Sequence, residues 1–193
     1  IINNRKQLSH SAYPTFGLMT KMGFSRDLPQ NNAFYQLSLS MKQGFQSRLL
    51  GSLDYYVEIG SFYGDKVHHF ADYKHFSTAP TWIGGNATNS TFRALLPYER
   101  STADAYFQAH LHYEHARILL KRLPFLSGSL IRESLFVQHL MVENRKPWTE
   151  IGYGVKQLFF LFNVEVYTGF EAGKYKTAGI RLEIPRGQAT IKM

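Results

Sequence analysis

Apolar and polar residues alternate with a period of two along most of this chain. In 149–156 the apolar positions are Ile151, Tyr153 and Val155, set against Glu150, Gly152, Gly154 and Lys156. In 160–171 they are Phe160, Phe162, Val164, Val166 and Phe170, set against Asn163, Glu165, Tyr167, Gly169 and Glu171. In 177–184 Ala178, Ile180, Leu182 and Ile184 alternate with Gly179, Arg181 and Glu183. This period predicts strands with one apolar and one polar face. The same pattern predicts strands at 33–42, 53–60 and 103–115, where Leu37, Ile59 and Leu111 oppose Gln36, Glu58 and His110. A first strand is predicted at 11–21, with Pro14, which has no ladder donor, at its start or on an edge. In 130–142 Arg132, Ser134 and Gln138 share one parity while Glu133 and His139 fall on the other, which predicts a bulge.

These segments amount to about eight long antiparallel strands, and no stretch with a helical period of about 3.6 competes with them. Between them, 63–100 has no sustained period and holds Gly64, Asp65, Pro80, Gly84, Gly85 and Pro97. A segment of that length without regular structure is expected to be a functional loop, folded over or into the sheet.

Strands of this kind reach the length of about 9–11 residues that crosses a bilayer at a tilt. The chain has no apolar run of about 18 residues, so a helical membrane protein is excluded, but a barrel hides from that test because lumen residues dilute its apolar ones. Aromatics at 15% suit girdles at two membrane interfaces. The expected fold is therefore all-β, a transmembrane antiparallel β-barrel occupying 1–193, with 63–100 as a long loop over or in the lumen. The start at Ile1, without initiator Met or signal peptide, and the hazard of unpaired edges predict the C-terminal half of a larger barrel.

The formal net charge of +8 raises nucleic acid as a partner. Lys and Arg are scattered through strands and turns instead of gathered in a run, so none is expected. The absence of cysteine removes disulfides and thiolate sites. On a lipid face each Arg or Lys would cost about 2–4 kcal/mol at the midplane. The polar positions are accordingly assigned to the lumen: Lys42, Asp54, Glu58, His110, His112, Glu114, Arg132, Glu150, Lys156, Glu165, Arg181 and Glu183. There they form a cross-strand ion-pair lattice, or a field that steers a charged cargo.

Three groups carry candidate chemistry. His110, His112 and Glu114 share a strand face at steps of about 7 Å per two residues, a spacing open to a transition metal. A polar wall accounts for them equally, and no fourth ligand is evident. His68, His69, Asp72 and His75 form a second histidine-rich group, expected to be a solvated loop. Ser134, His139 and Asn163 could supply a hydrolase, but their spacing does not mark them. No metal, cofactor or catalytic residue is expected, and the protein is expected not to be an enzyme. Two alternatives are a barrel-embedded hydrolase and a soluble β-barrel carrier of an apolar ligand.

A series of motifs runs in order along the chain: Ser11-Ala12-Tyr13-Pro14-Thr15-Phe16, Leu50-Gly51-Ser52-Leu53-Asp54-Tyr55-Tyr56-Val57-Glu58-Ile59-Gly60 with Phe62-Tyr63-Gly64, and His112-Tyr113-Glu114-His115. It continues with Leu119-Leu120-Lys121-Arg122-Leu123-Pro124-Phe125-Leu126, Ile131-Arg132-Glu133, Trp148-Thr149-Glu150-Ile151-Gly152-Tyr153-Gly154 and Ala178-Gly179-Ile180-Arg181-Leu182. The series resembles the C-terminal barrel of a Bacteroidota outer-membrane family of unknown function whose members carry a carboxypeptidase-regulatory-like domain at the N-terminus. A fainter similarity links Gly84-Gly85 through Arg93 to the lumen-reaching loop of BamA-like assembly and secretion barrels, with Ala94 where those barrels have Gly. That likeness implies that Arg93 lies in the lumen against acidic wall residues.

The resemblance implies a location in the bacterial outer membrane, contact with its lipid and lipopolysaccharide, and other outer-membrane or periplasmic proteins as partners. The expected function is a pore, transport or assembly-related component, working without a cofactor and within a larger complex.

Overall fold

The computed structural model describes residues 13–25, 32–47, 49–65, 67, 69–84, 89–124, 126, 128–158 and 162–183. The expectations for the segment before Tyr13, for His68, for Gly85, for Phe160 and for Ile184 lie outside the described residues.

The described chain is all-β, with only two short 3-10 turns, at Phe70–Asp72 and Leu120–Arg122. Its strands are β1 (Thr15–Ser25), β2 (Asn32–Ser47), β3 (Gly51–Gly64), β4 (Ile83–Gly84), β5 (Tyr106–His115), β6 (Arg132–Val142), β7 (Trp148–Leu158), β8 (Phe162–Glu171) and β9 (Lys174–Glu183). All nine join one sheet in the order β1-β2-β3-β5-β6-β7-β8-β9-β4. Every neighbouring pair is antiparallel except β4, which lies parallel to the end of β9, with Ile83 beside Leu182 and Gly84 beside Glu183. The expectation of about eight long strands corresponds to all but β4.

One expectation is met in part and one is corrected. The sheet does not close on itself: among the described residues β1 and β9 do not pair, and the only strand on the far edge of β9 is the two-residue β4. The irregular stretch at Leu130–Val142 holds no bulge, because β6 pairs residue for residue with both β5 and β7. The parity slip there has another cause: Glu133 and His139 face away from Arg132, Ser134 and Gln138, Glu133 binding a connector and His139 meeting Thr149. The register shift instead falls in β7, between Val155 and Leu158, where Gln157 takes a φ of 61° and its N–H donates to Asn163 Oδ1 at 3.0 Å. A second shift sits at Gly169/Phe170, opposite β9.

Alternation sorts the two faces, and burial reverses the usual order. On one face Gln36, Ser38, Glu58, Gln108, His110, His112, Gln138, Glu150, Glu165 and Arg181 are all buried. On the other, Leu37, Leu39, Ile59, Leu111, Val137, Ile151, Val166 and Ile180 are exposed. A sheet in a soluble domain does the opposite, packing its apolar face and solvating the polar one.

The segment between β3 and β5 covers the polar face. It is less irregular than its sequence suggests, holding β4, the turn at Phe70–Asp72 and isolated bridges Lys74↔Thr102 and Thr78↔Phe92. A compact apolar core glues it down at the end of the sheet where it enters: Phe76, Phe92 and Leu95 of the loop pack on Tyr106, Leu140, Val142 and Trp148.

A polar sheet face latched under one loop

Three clusters join the loop to the sheet, each built on a carboxylate or guanidinium that alternation directs to the covered face. The central one joins Glu165 and Glu150 to the loop's Arg93, whose side chain is 1% exposed. Its Nε lies 3.1 Å from Glu165 Oε2 and its Nη2 3.4 Å from Oε1, so the guanidinium fork meets one carboxylate with two nitrogens. Its Nη1 donates to Thr91 O, and the group stacks 4.4 Å from the centre of the Phe136 ring. Glu150 accepts the backbone N–H of Arg93 at 2.7 Å and of Ala94 at 3.0 Å, together with the indole N–H of Trp148 at 2.9 Å. One strand neighbour thus holds the loop's side chain and another holds its backbone. Gln138 adds a bond from Nε2 to Thr91 O at 2.8 Å.

Glycines make room for this arrangement. A Cβ on Gly152 would stand 2.1 Å from the Phe136 ring, and one on Gly154 would stand 2.5 Å from Ser134 Oγ. The two glycines between Glu150 and Lys156 on β7 therefore have a packing reason: the ring under Arg93 occupies the space above Gly152.

The second cluster is centred on Glu58. It accepts from Lys74 Nζ of the loop at 2.6 Å, from the Tyr56 and Tyr106 hydroxyls at 2.6 and 2.8 Å, and from Gln108 Nε2 at 2.6 Å. The third runs the other way, from the sheet to the loop. Arg181 donates through Nη1 to Ala79 O and Thr81 O while its Nε pairs with Glu183 at 3.1 Å. The N–H of Leu182 bonds to Trp82 O at 2.8 Å, which is how β4 attaches to β9.

Among the described residues cross-strand ion pairs occur at Glu114 and, at the β8–β9 turn, between Lys176 and Glu171 at 3.7 Å. Glu114 accepts from Arg132 at 3.0 Å and from Lys156 at 2.6 Å. Three of the wall's other acids are met by the loop, Glu58 by Lys74 and Glu150 and Glu165 by Arg93, while Glu183 pairs with Arg181 of its own strand. Asp54 likewise accepts from Asn89 Nδ2 of the loop at 3.1 Å. Lys42 stands apart, exposed and without an ion pair among the described residues. Lys74 and Arg100 belong to these contacts without having stood out in the sequence. Arg100 pairs with Glu171, bonds to Lys146 O and lies over the Trp148 ring at 5.4 Å.

The candidate catalytic groups do not converge. His139 Nδ1 lies 2.9 Å from Thr149 Oγ1 on the apolar face, Ser134 is buried on the opposite face, and Asn163 binds the β7 bulge. A close Ser–His pair occurs in the loop instead, His75 Nδ1 with Ser101 Oγ at 2.7 Å. Phe70 and Tyr98 flank its ring, and no carboxylate meets it among the described residues. His110 and His112 are buried on the covered face, with His110 bound to Gln108 Oε1 at 3.2 Å and stacked 4.7 Å from Phe92. No group of three or more His, Asp or Glu in metal-holding geometry occurs among the described residues.

These features define a class of protein: an all-β sheet that exposes its apolar face and buries a charged one beneath a single latched loop. Residues 1–155 match the C-terminal domain of a family of unknown function, DUF5686, and the chain belongs to that family. No curated protein and no solved structure matches the chain.

Proposed function

We propose that this chain is a transmembrane β-barrel segment of a bacterial outer membrane, a non-enzymatic transport or assembly-related component whose lumen is filled by the loop between β3 and β5. The observation that carries this reading is the inverted burial of the sheet. Ile59 is 56% exposed and Ile180 64%, while Glu150 on the opposite face is 0% exposed and Glu165 3%. Burying a Val, Leu or Ile side chain contributes about 1.5–3 kcal/mol. An apolar face that spans eight long strands and stays in water would forgo that repeatedly, and it far exceeds the patches of a few hundred Å² that monomeric soluble proteins expose. Hydrocarbon is the solvent that suits it.

The soluble-carrier reading is less favoured because the covered face carries Arg93, Glu58, Glu150 and Glu165, not an apolar lining. The open edges of the sheet suit pairing with further strands, as in a larger barrel of which these are the C-terminal half, since a barrel leaves no edge. Within it, Lys74, Arg93 and Arg181 act as latches that hold the loop in the lumen. The cargo is a chemical species that passes, or a protein that docks, only when those latches yield. Lipid and lipopolysaccharide surround the outer face, and other outer-membrane or periplasmic proteins complete the complex.

Single-cysteine labelling tests the reading, and the absence of native cysteine makes each label unambiguous. Cysteines at Leu37, Ile59, Val166 and Ile180 are expected to react with a lipid-soluble probe and resist a water-soluble one. Cysteine at Lys42, exposed on the polar side, is expected to do the reverse. Water-soluble labelling of the four apolar positions would overturn it.

A further inference from the structure

The end of the sheet opposite the covering loop has a different character. The connector 116–131 between β5 and β6 carries Arg117, Lys121 and Arg122 and contains no acidic residue, whereas the turns at the other end mix Glu99, Asp104, Glu143 and Glu171 with Arg100, Arg145 and Lys146. Among the described residues Arg117, Lys121 and Arg122 have no ion-pair partner. Interleaved with them, Leu119, Leu123 and Leu130 stand exposed. Exposed leucines between unpaired cations are the pattern of a segment that lies in a bilayer interface.

The connector is also held in place. Glu133, at the start of β6 and on its apolar-facing parity, accepts the backbone N–H of Leu119 at 2.6 Å, of Leu120 at 3.0 Å and of Lys121 at 2.9 Å, and the Tyr153 hydroxyl at 2.6 Å. One fully buried carboxylate thus satisfies the first N–H groups of the turn at Leu120–Arg122 and folds it back on the outer face. At a membrane surface this matters twice. The backbone donors are met within the protein, as a lipid-facing segment requires, and the cations are presented at the rim of the apolar wall.

We propose that the connector is a surface anchor for anionic phospholipid headgroups, its leucines entering the apolar boundary and Arg117, Lys121 and Arg122 meeting lipid phosphates. This rests on the membrane reading and deepens it by naming the lipid chemistry recognised at one end of the barrel. Charge complementarity selects the occupant: each Lys or Arg near an anionic surface strengthens docking about fivefold, and the outer apolar face continues into the leucines through Leu135 and Val137, which point outward on β6.

The test is an environment-sensitive fluorophore on Leu123→Cys, read with the intact chain reconstituted in neutral phosphatidylcholine vesicles and in vesicles containing phosphatidylglycerol. A second label on Ile59→Cys reports the strand face. The expected result is a blue shift at position 123 that grows with phosphatidylglycerol, falls in high salt, and is largely lost in a Lys121→Gln/Arg122→Gln variant. A lipid-like signal at position 59 with no response to phosphatidylglycerol at 123 overturns the anchor and leaves the barrel reading standing. An aqueous signal at 59 with a phosphatidylglycerol-dependent shift at 123 supports the anchor as a peripheral device and removes the barrel. A probe at 123 that stays in water in both lipids, leaving the connector to a protein partner, overturns the proposal.

Discussion

Arg93 shows how much one side chain can carry. Its guanidinium, 1% exposed, meets Glu165 with two nitrogens, and its backbone is tied to Glu150. Removing one partner of such a buried pair typically costs about 3–5 kcal/mol, because the charge left behind keeps its desolvation penalty. Arg93→Ala is therefore expected to lose stability of that order, read as the urea midpoint of the detergent-solubilised protein, and Glu165→Ala to lose a similar amount. The double variant is expected to lose less than the sum, since the two deletions remove each other's orphan; strict additivity would show that the pair is not a functioning contact. A smaller effect is expected at the β8–β9 hairpin, where Ala172 holds a φ of 50° ahead of Gly173 at 76°. A left-handed backbone costs a residue with a Cβ about 1–2 kcal/mol, and Asn bears it best among such residues. Ala172→Asn is expected to raise the midpoint slightly, and a lowered midpoint would contradict the turn geometry.

At the scale of elements, the strands explain which glycines the sheet depends on. The Phe136 ring fills the space above Gly152 and forms the platform for Arg93. Gly152→Ala would drive a methyl group into that ring, at a cost of about 1–3 kcal/mol for overpacking, and should loosen the loop along with the strand. Limited proteolysis within the loop is the measurement: faster cleavage in Gly152→Ala than in the parent is expected, and unchanged cleavage would detach the ring from the latch. The connector 116–131 depends on Glu133 in the same way. Glu133→Leu leaves the N–H groups of Leu119, Leu120 and Lys121 without their acceptor. Trypsin cleavage after Lys121 and Arg122 is expected to accelerate severalfold, and equal rates would show the clamp to be dispensable.

The loop and the sheet behave as one body because an apolar core and three polar clusters hold them together. Phe92 and Leu95 are buried against Trp148 and Leu140, while Lys74, Arg93 and Arg181 tie the rest. If the sheet belongs to a membrane barrel, weakening two latches at once should open the lumen. Arg93→Ala combined with Arg181→Ala is expected to raise ion conductance in planar bilayers above that of the parent protein. A silent variant that still resists alkaline carbonate extraction from the membrane would show that the loop is not what closes the pore.

Alternation alone determined the all-β class, all eight long strands to within a few residues at their ends, and which side chains share a face, because a period of two is a property of the extended backbone and needs no partner. It also directed Glu58, Glu150, Glu165 and Arg181 to a common face. The parity slip at Glu133 was visible too, though its meaning was not: a residue that binds a connector and a bulge leave the same trace in a sequence. What the tertiary structure alone decided was pairing across long separations. Lys74 and Arg93 sit in a stretch with no period, so nothing local distinguishes the lysine that meets Glu58, and the likeness that set Arg93 against acidic wall residues left open which acids those are. The shape of the sheet edges and the attachment of β4 to β9 were decided there as well, since an edge is defined by which strands find each other, and that depends on contacts far apart along the chain.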